Sequence, residues 1–189
     1  MNLGAAVRAR LYFLVDRMKK LLIAILGIAA VLGLTLFVGC GQETGEPFGS
    51  EATVTVVLDN KEDAPSVFSV PVGKAGLTSA ATGIDVLDVL AEGGTFYYQA
   101  RQGAYGAYLL EMGTVRTDES GEYPVTVYDP VLQEGNGNYI YVYTSVEKDQ
   151  DTGNYASEVE YLGQTLVNSA VGVSYMSVEA GAVLYFTYY

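Results

Sequence analysis

The side chains that could do chemistry here are unevenly chosen. The chain has 22 acids, 16 tyrosines, one cysteine (Cys40) and no histidine. Without His or a second Cys there is no Ser-His-Asp or Cys-His nucleophilic machinery, no thiolate zinc site and no His-held haem. Glycosidase chemistry needs two carboxyls at a fixed separation, and no acid pair stands in a distinctive motif for it. These absences argue against an enzyme. The tyrosines form a clearer pattern, because only Tyr12 precedes Cys40 and Tyr139, Tyr141 and Tyr143 alternate with Ile140 and Val142. A period of two places the three phenols on one sheet face and the aliphatics on the other. Such a face, joined by Tyr105 and Tyr108, could stack a flat ligand or a sugar ring; a tyrosine layer that merely covers the sheet is the plainer reading. A third set lies in Asp149-Gln-Asp-Thr-Gly-Asn-Tyr-Ala-Ser-Glu-Val-Glu160, where Asp149, Asp151 and Glu160 occupy positions 1, 3 and 12 of a calcium loop. Gly153 and Asn154 depart from that pattern, and an acidic hairpin loop is the alternative.

Cys40 ends a long apolar run. Leu21 to Val38 contains no charge and follows Met18-Lys19-Lys20, the order of an export signal with a basic start and an apolar centre. Met18 is a candidate true start. The sequence Phe37-Val38-Gly39-Cys40 resembles the lipobox of bacterial lipoproteins, which implies lipidation of the Cys40 sulfur and loss of residues 1–39. Two or more acyl chains then anchor the protein stably, at about 0.8 kcal/mol per buried methylene. The alternative is an uncleaved transmembrane helix, since the run is close to the roughly 20 residues that span a bilayer. Both readings put the C-terminal part outside the cytoplasm, held at the bacterial cell membrane.

Charge divides the chain at the same point. Residues 1–39 carry five basic side chains and one acid, whereas residues 40–189 carry five basic and 21 acidic ones, a net of −16. A domain so acidic is not a nucleic-acid binder, which would need Lys and Arg against phosphates. The domains expected are therefore a signal over 1–39, a lipidated Cys40 with a Gly- and acid-rich flexible linker over 40–52, and a folded domain over 53–189.

The elements that must position the tyrosines follow from local pattern. Thr53 to Asp59 alternates and is β-branched, Asn60 to Pro65 supplies a turn, and Ser66 to Gly73 resumes a strand with Pro71 favouring an edge. Ile84, Val86, Leu87 and Leu90 recur at helical spacing, with Asp85 and Asp88 near the N-terminus and Gly93-Gly94 as a stop, predicting a helix over about 83–91. Strands are predicted over 95–101, 105–112, 124–128 and 138–146, then a hairpin turning at Leu162-Gly163-Gln164, and a last strand in Ala182 to Tyr189. One helix within a strand meander gives an α+β fold: a mostly antiparallel sheet with one short helix, preceded by the N-terminal apolar signal or anchor helix.

Together, "GIDVLDVLAE", "YGAYLLEMGTV", "YIYVYTSV" and "VSYMSVEAGAVLYFTYY" resemble the bacterial DUF4430 family. That family is similar to the C-terminal domain of the cobalamin carriers transcobalamin and intrinsic factor. The resemblance spans Val54 to Tyr189 and implies a β-grasp-like fold, a ligand-binding role and cobalamin or a related corrinoid as ligand. Thr144-Ser145-Val146-Glu147 stands where the family carries an Asn-Gly element, and imidazole ligation of cobalt by this chain is ruled out by its lack of His. Residues and resemblance lead to one expectation, a non-enzymatic ligand-binding domain tethered to the membrane. A structural or adhesive module that meets another protein or polymer at the cell surface is the alternative.

Overall fold

A computed structural model describes residues 45–188 apart from Tyr105 and Asn136. The expected signal, Cys40 and the candidate ring of Tyr105 lie outside the described residues.

The chain opens with β1 (Val54–Asp59) and β2 (Ser66–Val70), which pair antiparallel from Val54↔Val70 to Leu58↔Ser66. The turn is held by Asx-type bonds: Asp59 accepts from the Lys61 N–H, and Asn60 Oδ1 from the N–H groups of Glu62 and Asp63. Helix α1 (Gly83–Glu92) follows. At its start the Asp85 carboxylate accepts from both the N–H and the hydroxyl of Thr82, at 2.7 and 2.8 Å. The free N–H groups of Gly83 and Ile84 donate to the carbonyls of Met176 and Val173, satisfying helix-end donors with backbone. Gly83 is required there, since a Cβ would stand 2.8 Å from the Val173 carbonyl. Val86 and Leu87 are fully buried, each contributing about 1.5–3 kcal/mol by leaving water.

Next come β3 (Phe96–Gly103), β4 (Gly106–Asp118) and β5 (Val125–Gln133), an antiparallel sheet of their own in the order β3-β4-β5. The remaining strands are β6 (Ile140–Thr144), β7 (Glu158–Tyr161), β8 (Gln164–Asn168) and β9 (Val183–Tyr188). They join the opening hairpin in a six-stranded sheet, β2-β1-β9-β6-β8-β7, in which β1 and β9 run parallel and the other pairs antiparallel. Among the described residues the fold is mostly β with one short α-helix. It departs from the expected single sheet because strands from Phe96 to Gln133 pair only among themselves, and no local pattern states which strand will be whose neighbour.

Alternation then sorts the six-stranded sheet into two layers. Val56, Leu58, Leu184 and Phe186 face the main core, where they meet Val86, Leu87, Phe96, Met112 and Leu132. Val57, Tyr143, Leu166, Val183 and Tyr185 form a second cluster, with Tyr141, Val159 and Tyr161 packed against it.

Residues 45–52 behave differently from the flexible linker that their composition suggests. Glu46 and Ser79 exchange bonds, the Phe48 N–H donates to the Leu77 carbonyl, and the Phe48 side chain packs on the main core. One apolar residue in a polar run is enough to pin it. Among the described residues no helix is long and apolar enough to cross a membrane.

Candidate functional site

The sequence-predicted tyrosines separate into two environments. Tyr108, Tyr139 and Tyr141 line an open cleft of about 270 Å³ together with Ile140, Val142 and Ser169. Tyr108 comes from β4 of the small sheet, whereas residues 139–142 come from the start of β6 in the large one. A tight turn delivers Tyr139: Gly135 and Asn138 bond each other's backbone, and Gly135 and Gly137 adopt positive φ that suits only glycine. The floor is fixed by the Ser169 N–H donating to the Val142 carbonyl at 2.8 Å. The Tyr108 hydroxyl donates to Glu134 at 2.9 Å, and the Arg101 guanidinium lies 4.8 Å from the ring centre. Burial, then this bond, push the Tyr108 phenol up from its ordinary pKa. Tyr139 is the exposed wall, at 52%.

Tyr143 does not reach the cleft. It is buried on the second cluster, meets Tyr185 edge-on at 6.4 Å and shares a 3.1 Å bond with Ser157. Tyr185 in turn donates to Asp59. Tyrosine alternation therefore supplies two residues, Tyr139 and Tyr141, to the cleft and a third, Tyr143, to the packing of the sheet. A continuous three-ring platform does not exist, because Tyr143 is packed among Val57, Leu166, Val183 and Tyr185 on its face of the sheet.

The candidate calcium ligands are each held by the protein's own donors. Asp149 is buried and accepts from the Ser177 N–H at 2.5 Å, joining the loop after β6 to the segment before β9. Asp151 accepts from the Gly153 N–H and the Asn168 amide. Glu160 lies on β7 and accepts from the Thr165 hydroxyl across the hairpin. Among the described residues no three His, Cys, Asp or Glu side chains could together hold a metal ion. The spacing resembled a calcium loop, but a strand carries the twelfth position away, and Asp149 does its work as a buried backbone acceptor rather than in a solvated loop.

No family model, curated protein or solved structure matches this chain.

A second tyrosine-lined cleft was missed by pattern reading. Ala91, Gly94, Phe96, Tyr97, Tyr98, Val115, Thr126 and Tyr128 surround about 410 Å³ between the end of α1 and the small sheet. Tyr97 and Tyr128 meet edge to face, with centres 5.1 Å apart and planes at 80°. Tyr97 pairs with Gly113 across the strands, and a Cβ on Gly113 would stand 2.7 Å from the Tyr97 ring. The glycine therefore leaves the space that the ring occupies. The Tyr97 hydroxyl donates to Glu111 at 2.6 Å, and that of Tyr98 to Asp88 at 2.5 Å. Burial first, and these carboxylates second, raise both phenols well above the usual tyrosine range. The sequence signal was the Tyr97-Tyr98 pair, but only strand register brings Tyr128 and Gly113 beside it.

Proposed function

We propose that the protein is an extracytoplasmic lipoprotein, anchored to the bacterial membrane through Cys40, whose folded part is a non-enzymatic ligand-binding domain. The observation that carries the binding role is the convergence of Tyr108 with Tyr139 and Tyr141 from a different sheet. At about 270 Å³ the cleft suits one ring of a ligand, a flat heterocycle or a sugar unit, with tyrosine faces for stacking and phenol hydroxyls for orientation. Its openness suits a ring that belongs to a larger molecule. A β-grasp-like fold, with kinship to the DUF4430 domains, is part of this reading. It is supported by the parallel pairing of the first and last described strands, by α1 following the opening hairpin, and by the helix packing on that sheet.

The adhesive alternative through strand addition is less well supported, because the outer strands are defended. Among the described residues β7 carries Glu158 and Glu160, β5 contains Pro130, β2 is followed by Pro71, and β3 has a register shift at Gln99/Ala100. Edge charge, proline and bulges are the usual obstacles to strand addition.

The test is mass spectrometry of ligand that copurifies with the full exported chain, with titration of a monosaccharide, a flat heteroaromatic compound and a corrinoid as probes. Binding of a ring ligand that falls about tenfold in Tyr139→Ala, the loss expected for one stacked ring, supports the site. Absence of copurified ligand together with no measurable binding of any probe overturns it. The anchor is tested separately with Cys40→Ser, which should give an unprocessed precursor without acyl label; unchanged processing and labelling would refute lipidation.

A further inference from the structure

The second cleft has a chemistry of its own, and it faces ligands that the first does not suit. Its described lining holds no charged side chain, and the rings it presents are those of Tyr97 and Tyr128, since Phe96 is buried and Tyr98 packs with it on the core. Ala91 and Gly94 place it at the C-terminal end of α1, where the last carbonyls give the dipole its negative pole. Lys or Arg commonly stands at such an end, yet the last turn of α1 holds no basic residue. The Tyr97 hydroxyl donates to the Glu111 carboxylate, whereas Tyr98, next along the strand, turns to the opposite face and bonds Asp88 of α1. A phenol that donates to a carboxylate has a more electron-rich ring, so the faces turned to the cleft are more attractive to a cation. The whole domain adds a long-range field of the same sign, since residues 40–189 sum to −16.

From this arrangement we infer that the corner formed by Tyr97 and Tyr128, on the sheet face opposite the one Tyr98 turns to the core, is a binding site for a quaternary ammonium group. The choice among cations follows from the lining. A primary ammonium loses three hydrogen bonds to water on entering and needs acceptors in return, but the Glu111 carboxylate is already engaged by the Tyr97 hydroxyl and the Gln133 amide. A trimethylammonium group makes no such demand: it is weakly hydrated, its methyl groups pack on aromatic faces, and its charge is stabilised by them without direct contact to an acid. Tyr97 and Tyr128, at 80° to each other, form two walls of a corner that such a rounded group fits. The corner is rigid, because Tyr97 lies over Gly113 and is tied at its hydroxyl. The same group occurs as a free solute and as the headgroup of a lipid or polymer; the cleft recognises the group in either.

The full chain is titrated with choline and with its neutral isostere, in which carbon replaces the quaternary nitrogen, at constant ionic strength. Aromatic proton shifts and calorimetry supply the readouts. Choline is expected to bind saturably and about tenfold more tightly than the isostere, because the ring faces reward charge. Tyr128→Ala should weaken choline about tenfold, and Tyr97→Phe, which keeps the ring, only a few-fold. Tyr128 is 60% exposed, so its removal spares the core, and circular dichroism checks this. Sedimentation with phosphatidylcholine vesicles separates the sources: retention that Tyr128→Ala abolishes assigns the headgroup, and choline binding without vesicle retention assigns a free solute. Equal affinity for choline and the isostere overturns the inference, as does indifference to Tyr128→Ala. Choline binding that depends on Tyr139 instead would place the cation in the first cleft and also overturn it, leaving the ring-ligand reading to its own test.

Discussion

In the cleft beside Tyr108 an arginine already lies over the ring, at 4.8 Å from its centre; in the cleft beside Tyr97 the lining holds aromatic faces and no charge. The two are made of the same residue type in the same acidic domain. They differ in which groups the fold brings to the rings. In the first, Arg101 uses part of the electron-rich surface of Tyr108, and what remains open to ligand is the Tyr139 wall. In the second, Glu111 takes the Tyr97 hydroxyl and no cation lies over the Tyr97–Tyr128 corner among the described residues. A tyrosine's binding chemistry is thus set by what its edge and its hydroxyl meet, more than by the count of tyrosines nearby.

The comparison can be broken most strongly at Phe96, which is both a wall of the second cleft and fully buried in the core. Phe96→Ala should cost about 3–5 kcal/mol of unfolding free energy, read by denaturant titration. A cost near that of a surface change would mean the cleft and the core are independent. Gly113→Ala comes next. Its Cβ would collide with the Asp129 carbonyl at 2.3 Å and with the Tyr97 ring. It should destabilise by about 1–3 kcal/mol and shift the Tyr97 resonances while leaving those of Tyr139 in place.

A third test uses pH. The Tyr97 and Tyr98 phenols are raised by burial and their carboxylate partners, so the folded protein keeps protons that the unfolded chain releases near pH 10. The stability that these contacts supply is present in full below that pH and is lost as pH rises through the raised folded values. Alkaline denaturation should therefore be shallower in Tyr98→Phe than in the parent. A curve of unchanged steepness would remove the phenol–carboxylate bonds from the account.

The smallest effect is the sharpest for the comparison. Arg101→Ala removes the cation from the Tyr108 face, at a cost of about 0.5–1 kcal/mol. It should also give the first cleft a weak affinity for choline that the parent lacks there, seen as new shifts at Tyr108. Failure to gain it would show that the bare ring face is not what separates the two sites.

Much of the framework was legible in the chain itself. The helix is predictable because the 84/86/87/90 apolar spacing, Asp85 and Asp88 near its start and Gly93-Gly94 at its end are local signals, and it runs Gly83–Glu92. The turn at Leu162-Gly163 is equally local: both residues take positive φ, at 50° and 78°, between paired Tyr161 and Gln164. The site was legible only in part. Tyr108 could be suspected as a companion of residues 139–143, but nothing local told Tyr143 from Tyr141, since burial of the first depends on residues of β1, β8 and β9 that the sheet brings around it. Asp149 shows the same limit, because its partner is Ser177, 28 residues away.

By itself the sequence determined the division at Cys40, the acidity of residues 40–189, the period-two faces and the absence of histidine chemistry. These depend on residue type and spacing, which act within a few bonds of one another. The tertiary structure alone decided that Phe96 to Gln133 would form a separate sheet, that Tyr108 would face Tyr139, and that Gly113 would lie beneath Tyr97. Each of those depends on strand partners far apart in the chain, and their pairing is fixed by the joint burial of both sheets' apolar faces rather than by any one segment.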